Sequence, residues 1–215
     1  MRATMPIKDV DEFFRRLSDV NPAPKGELHY TNEFTLTVAV VLSAQATDTG
    51  VNKATERLFK IADTPEKMLA LGERAIRDHI KSIGLYRNKA KNVTALCEIL
   101  IAEFGGTIPR TRDELVMLPG VGRKTANVVL NIAFGHPTMA VDTHIFRLGN
   151  RTGMAPGKTV NQVEDKLVKR IPKHWMLHAH HWLILHGRYV CKARKPECPR
   201  CSVQELCRYK AKTLG

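Results

Sequence analysis

The 215-residue chain contains no long apolar run. No stretch approaches the roughly 18 consecutive apolar residues of a membrane span, so a helical membrane protein is excluded. A secretory leader is also missing: residues 1–9 carry no apolar h-region, and a cytoplasmic protein is expected. Convincing strands and internal repeats are absent too. The β-branched run FTLTVAVVL at residues 34–42 could form a strand, but nothing nearby offers it a partner, so it reads as a buried helix. Acidic residues are in short supply, 21 against 34 Lys and Arg, which leaves a net charge of +13. A balance this basic points to a polyanionic partner. Nucleic acid comes before membrane, because no amphipathic basic helix dominates.

Cysteines number five, and four of them (Cys191, Cys198, Cys201 and Cys207) fall within seventeen residues as C-x6-C-x2-C-x5-C. Without a leader, that crowding argues for a metal site in a reducing compartment over disulfides. Four thiolates in one loop suit either a [4Fe–4S] cluster or a structural zinc. Zinc ribbons usually pair two close knuckles, and only one pair is close here, so the spacing leans toward iron–sulfur without excluding zinc. Residues 188–212 hold eight Lys/Arg against two acids, and Lys192, Arg194 and Lys195 lie between the first two cysteines. A group bound by the four cysteines would make that loop a rigid basic finger against phosphates; otherwise these cations are solvated surface. Cys97 falls on the inward side of its helix and reads as a small buried apolar residue. His178, His180, His181 and His186 lack ligand spacing. Interleaved with Trp182, Leu183 and Leu185, they read as packed or hydrogen-bonded structural residues.

The rest of the chain divides into about ten short helices joined by capped turns, an all-α pattern. Ile7, Val10, Phe13, Phe14 and Leu17 recur at helical spacing until Asn21-Pro22. Asp48 is expected to cap a helix at 49–59, and Thr64-Pro65-Glu66 a short one to Leu71. Further helices are expected at 73–80 and 89–104, separated by a break with Leu85 at its tip. Thr111 to Glu114 has the capping-box pattern. Helices at 160–169 and 180–189 complete the series.

The most informative stretch is residues 118–147, LPGVGRKTANVVLNIAFGHPTMAVDTHIFR. Its two glycines allow a tight connection with close backbone approach to a ligand. The helix start at Arg123-Lys124-Thr125 offers open N–H groups and a positive dipole end, an anion site. A plain helix-turn-helix corner would look the same at this level. The helix to Phe134 advances about 15 Å, and the seven residues 135–141 can span up to roughly 23 Å, so the chain can return Asp142 to the mouth where Lys124 began. Asp142 also reads as the N-cap of the next helix. Singly, Lys124 is an ordinary first-turn lysine and Asp142 an ordinary cap. Together on this scaffold they make an amine and a carboxylate beside a phosphate grip.

LPGVGRKTANVVLN followed by VDTHIFR, with LSAQATD, VNKAT, HHWLILHGRY and the C-terminal cysteines, resembles the endonuclease III family, bifunctional DNA glycosylases and abasic-site lyases of the helix-hairpin-helix superfamily. The resemblance covers residues 10 to 210 or so. It implies a bacterial-type, nucleoid-associated base-excision-repair enzyme that acts as a monomer on damaged double-stranded DNA, with oxidised pyrimidines as substrates. It implies two lobes, a helical barrel at 25–136 and an iron–sulfur lobe joining 1–24 to 137–215. It implies a [4Fe–4S] cluster on the four cysteines, Lys124 as the Schiff-base nucleophile and Asp142 as its carboxylate partner. Gly120, Val121, Gly122 and Arg123 would grip a phosphate, His144 would be a further DNA contact, and Gln45 and Leu85 would fill the stack vacated by a flipped base. Three other readings share some of these features: a non-catalytic iron–sulfur DNA-binding protein, a zinc-stabilised adaptor, and a monofunctional adenine-glycosylase relative. The last would keep Asp142 but lack the lysine, and it usually carries an extra C-terminal domain.

Overall fold

The computed structural model describes residues 4–213. Eleven α-helices appear among them and no strand: α1 Ile7–Val20, α2 Glu33–Leu42, α3 Asp48–Ile61, α4 Pro65–Leu71, α5 Glu73–Ile80, α6 Tyr86–Phe104, α7 Arg112–Leu115, α8 Arg123–Phe134, α9 Thr143–Thr152, α10 Val160–Arg170 and α11 Met176–Tyr189, with 3₁₀ turns at Lys173–Trp175 and Cys198–Arg200. No helix is long and apolar enough to cross a membrane. The chain forms two compact units, one of residues Glu27–His136, the other joining the segment up to Gly26 to the segment from Pro137.

The Glu27–His136 unit is built around α2. Every residue of α2 after Glu33 is buried, because FTLTVAVVL has no polar face to turn outward. The expected helix is found, with α3, α6 and α8 packed on it in place of partner strands. Its N-terminus carries a reciprocal capping box between Asn32 and Thr35 that the run of apolar residues does not advertise. Leu58, Met68, Ile76, Ile80, Leu96 and Leu100 close the same core, and Cys97 is fully buried within it.

The second unit rests on α1, α9, α10 and α11. Phe13 and Phe14 of α1 are fully buried; the Phe14 ring lies 6.1 Å from that of Trp182 on α11, whose indole donates to the Asn21 carbonyl at 2.7 Å. Gly187 lets α11 close on α9: a Cβ there would sit 2.8 Å from that of His144.

Three helix starts differ from the sequence expectation. Thr47, not Asp48, caps α3, accepting from the Gly50 N–H at 3.1 Å. Helix α6 begins at Tyr86, three residues before Lys89, because Leu85 itself turns into the left-handed region and starts the helix directly. Helix α11 begins at Met176 rather than His180, continuing straight from the 3₁₀ turn.

Candidate active site

The connection from α7 to α8 is tight. Leu115 and Leu118 are buried, and the Val121 N–H donates to the Leu118 carbonyl at 3.0 Å. Gly120 is required twice over. Its φ is +83°, and a Cβ would lie 2.9 Å from Val41 Cγ1 and 3.3 Å from Asn92 Nδ2. Helix α8 then starts at Gly122 with no side-chain cap and no acid in its first turn. Exposed Arg123 and Lys124 stand in its first turn, where the first backbone N–H groups have no acceptor within the helix. A helix N-terminus in this condition favours an anion through both its donors and its dipole. Buried Ala126, Val129 and Leu130 hold the helix against the core, so the start is fixed in place.

Asp142 does cap the following helix. Its Oδ1 accepts from the Ile145 N–H at 2.8 Å, and the residue is half-buried. Below it on α9, Arg147 and Arg151 reach the cysteine loop. Arg147 donates to the Gly187 carbonyl at 2.7 Å and the Cys191 carbonyl at 3.1 Å, and lies 3.3 Å from His144 Nδ1. Burial lowers its pKa, against an opposite pull from Cys191 and Asp142. Arg151 donates to the Lys192 and Ala193 carbonyls at 2.8 and 2.6 Å, and reaches Cys191 Sγ at 3.6 Å. Neither arginine stood out in the sequence; the signal was their i, i+4 spacing on the helix that Asp142 opens.

Cys191, Cys198, Cys201 and Cys207 all line one cavity, with Leu148, His186 and Val203 among its walls. Among the described residues no three Cys, His, Asp or Glu side chains are gathered closely enough to hold a single metal ion. An all-sulfur donor set suits iron–sulfur or zinc chemistry. Several donors approach those sulfurs. The Tyr209 N–H points at Cys207 Sγ at 3.5 Å, and His186 Nε2 lies 3.5 Å from Cys201 Sγ. Burial, reinforced by the neighbouring thiols, pushes the Cys201 thiol up to about 11. His186 is buried as well, and burial lowers its pKa to about 4, with Arg200 adding to the effect. Of the basic loop, Lys192, Arg194 and Lys195 are exposed, and Lys192 pairs with Glu197, which also pairs with Arg200.

Gln45 and Leu85 are both exposed, and they are the non-glycine residues with positive φ among those described, at +53° and +59°. A side chain in that region costs about 1–2 kcal/mol. The two tips adjoin: a Cβ on Gly84 would come 3.8 Å from the Gln45 carbonyl oxygen.

The profile of the HhH-GPD superfamily of base excision DNA repair proteins matches residues 38–173. The chain is 58% identical to endonuclease III of Rickettsia conorii over 95% of this chain and 98% of that protein. It belongs to the endonuclease III family. The endonuclease III of Escherichia coli is 56% identical over 94% of this chain and 95% of its own length. A solved structure of a trapped endonuclease III–DNA covalent intermediate superposes with a TM-score of 0.89 at 46% identity, over 95% of this chain and 97% of that one. A thermostable thymine-DNA glycosylase shares the fold, with a TM-score of 0.81 at 24% identity over 94% of each chain. Family membership makes this chain an enzyme, a DNA glycosylase with abasic-site lyase activity.

Proposed function

We propose that this enzyme removes oxidised pyrimidines from damaged double-stranded DNA and cleaves the resulting abasic site by β-elimination through a Schiff base on Lys124. The observation that carries the reading is the start of α8, where an exposed amine stands in the first turn of a helix closed by neither a side-chain cap nor an acid. Such an end binds a phosphate and holds the amine beside it. The DNA-bound endonuclease III structures that this chain resembles, one of them a covalent intermediate, support the same chemistry.

The target base must leave the stack to be reached. The neutral Lys124 amine then attacks the sugar C1′, forming a C–N bond as the glycosidic bond breaks. Asp142 takes the proton from the amine or stabilises the cationic sugar as the ring opens. The resulting iminium acidifies the C2′ proton; loss of that proton expels the 3′ phosphate and breaks the strand. Gly120, Val121, Gly122 and Arg123 grip a backbone phosphate, and His144, Lys192, Arg194 and Lys195 add backbone contacts. Gln45 and Leu85 enter the vacated stack, a role that suits two exposed tips held in a strained conformation.

In this reading the four cysteines hold a [4Fe–4S] cluster, which supplies cross-links that hold the basic loop in shape. Arg151 and Arg147 hold the same loop through its carbonyls. In this reading the enzyme, whose relatives are bacterial, acts as a monomer on nucleoid DNA in the cytoplasm. Borohydride reduction in the presence of abasic-site DNA tests the central step. A covalent protein–DNA adduct mapping to Lys124 is expected; an adduct on another residue, or none, overturns the mechanism.

A further inference from the structure

Lys89 is a buried charge that the mechanism leaves unused. It is 5% exposed, on the inward face of α6 with Val93, Leu96 and Leu100, and its Nζ is sealed from solvent without a hydrogen-bond partner. Burial lowers its pKa. An unpaired ammonium in a hydrophobic core opposes folding, and a leucine or methionine would fill the same space without that cost.

Its position suggests what it serves. Helix side chains lean toward the N-terminus, so Lys89 lies over the turn that Leu85 opens, four residues earlier, where its own N–H donates to the Leu85 carbonyl at 3.0 Å. Residues 84 and 45 adjoin there, bringing the Gln45 tip to the same place. Three residues further along α6, Asn92 packs against hairpin residue Gly120. The Gln45 tip, the Leu85 tip and the hairpin therefore converge on the first two turns of one helix, the turns that carry Lys89. An ammonium this enclosed is shielded from DNA, so a partner for it has to come from the protein itself.

We propose that Lys89 is a positioning residue: its buried ammonium donates to backbone carbonyls of the Gln45 and Leu85 tips when these enter the DNA stack, holding both in the inserted conformation. The proposal rests on the wedge role of those two residues. In the free protein no protein acceptor meets the ammonium, and insertion of the tips supplies one, so the charge favours the inserted arrangement.

The test compares Lys89→Met with Gln45→Ala and Leu85→Ala in the full chain. Each is assayed on an oxidised pyrimidine in duplex DNA and on an abasic site in single-stranded DNA at one salt concentration. Lys89→Met should raise the melting temperature, because it removes a buried unpaired charge. It should lower duplex activity at least about tenfold and single-strand cleavage far less. Lys89→Gln, which retains a donor, should recover part of the duplex loss and covers the case of a poorly folded methionine variant. A base-stacking fluorophore opposite the lesion should report weaker tip insertion in Lys89→Met. If Gln45→Ala and Leu85→Ala are duplex-selective and Lys89→Met is not, Lys89 serves only the core and the proposal falls. If the two alanine variants lose both activities equally, the wedge reading itself falls.

Discussion

Lys124 and Asp142 do different work in their own helices, and substitution should separate the two. Lys124 is exposed and its helix is held by other residues, so Lys124→Gln should fold normally, bind damaged duplex, and lose both the borohydride adduct and strand cleavage. Cleavage at the parent rate would place the nucleophile elsewhere. Asp142 supplies the cap of α9, and asparagine caps as well as aspartate, so Asp142→Asn should slow base removal severely with little loss of stability. Lys89 yields a pH signature. Its folded pKa is below the usual lysine value, so between that lowered value and the unfolded value the unfolded chain binds more protons. Its burial therefore costs stability at neutral pH, and that cost fades as pH rises through the window toward the ordinary lysine pKa. The stability advantage of Lys89→Met should shrink over the same range in paired melts, and a constant difference would show that the ammonium is not desolvated. Sequence marked Lys89 only as the first residue of an expected helix and could not show its burial, because a lysine there usually extends its stem and keeps its charge in water.

Helix existence was legible throughout, helix starts less so, and the reason is chemical. Thr64, Thr111, Thr159 and Asp142 each cap the helix that follows. At Thr47-Asp48 two adjacent residues can cap, and sequence does not choose; the structure uses the threonine. Thr47→Ala should therefore destabilise the protein by about 1 kcal/mol in chemical denaturation, a loss within the usual range for an N-cap. The tips at Gln45 and Leu85 were legible only as helix breaks. Positive φ on a non-glycine is imposed by the elements on either side, which local pattern does not record. Because Leu85 is more than half exposed, little burial is lost on truncation. Leu85→Gly should hold or raise the melting temperature, since glycine adopts that φ freely, while duplex activity falls. A clear drop in stability would mean that the tip packs more than its exposure suggests.

For the whole molecule, composition pointed to a polyanion and pattern to an all-α chain, and both are matters of summed residues. Contacts that build the second unit are invisible to periodicity because they join the ends of the chain. The Trp175 indole donates to Asp11 at 2.7 Å, Arg16 to the Ser202 carbonyl at 3.1 Å, and Arg208 to Asp9 at 2.9 Å. The cysteine cavity opens into that same unit: Cys191 and Cys201 pack against its core, and Val203 is 1% exposed within it. The core of residues Glu27–His136 uses none of the four clustered cysteines. A metal group held by those thiols should thus stabilise the two units unequally, since binding energy adds to the stability of whatever must fold to form the site. Anaerobic chelation should lower hydrogen-exchange protection in α1, α9 and α11 first and leave α2, α6 and α8 protected. Metal analysis of the starting protein should find iron and sulfide near four each per chain if the cluster reading holds. Stoichiometric zinc with the same pattern of lost protection would keep the coupling and replace the cluster. Equal loss across both units would show that the thiols support the fold as a whole, and the separation of the two cores would count for little in its stability.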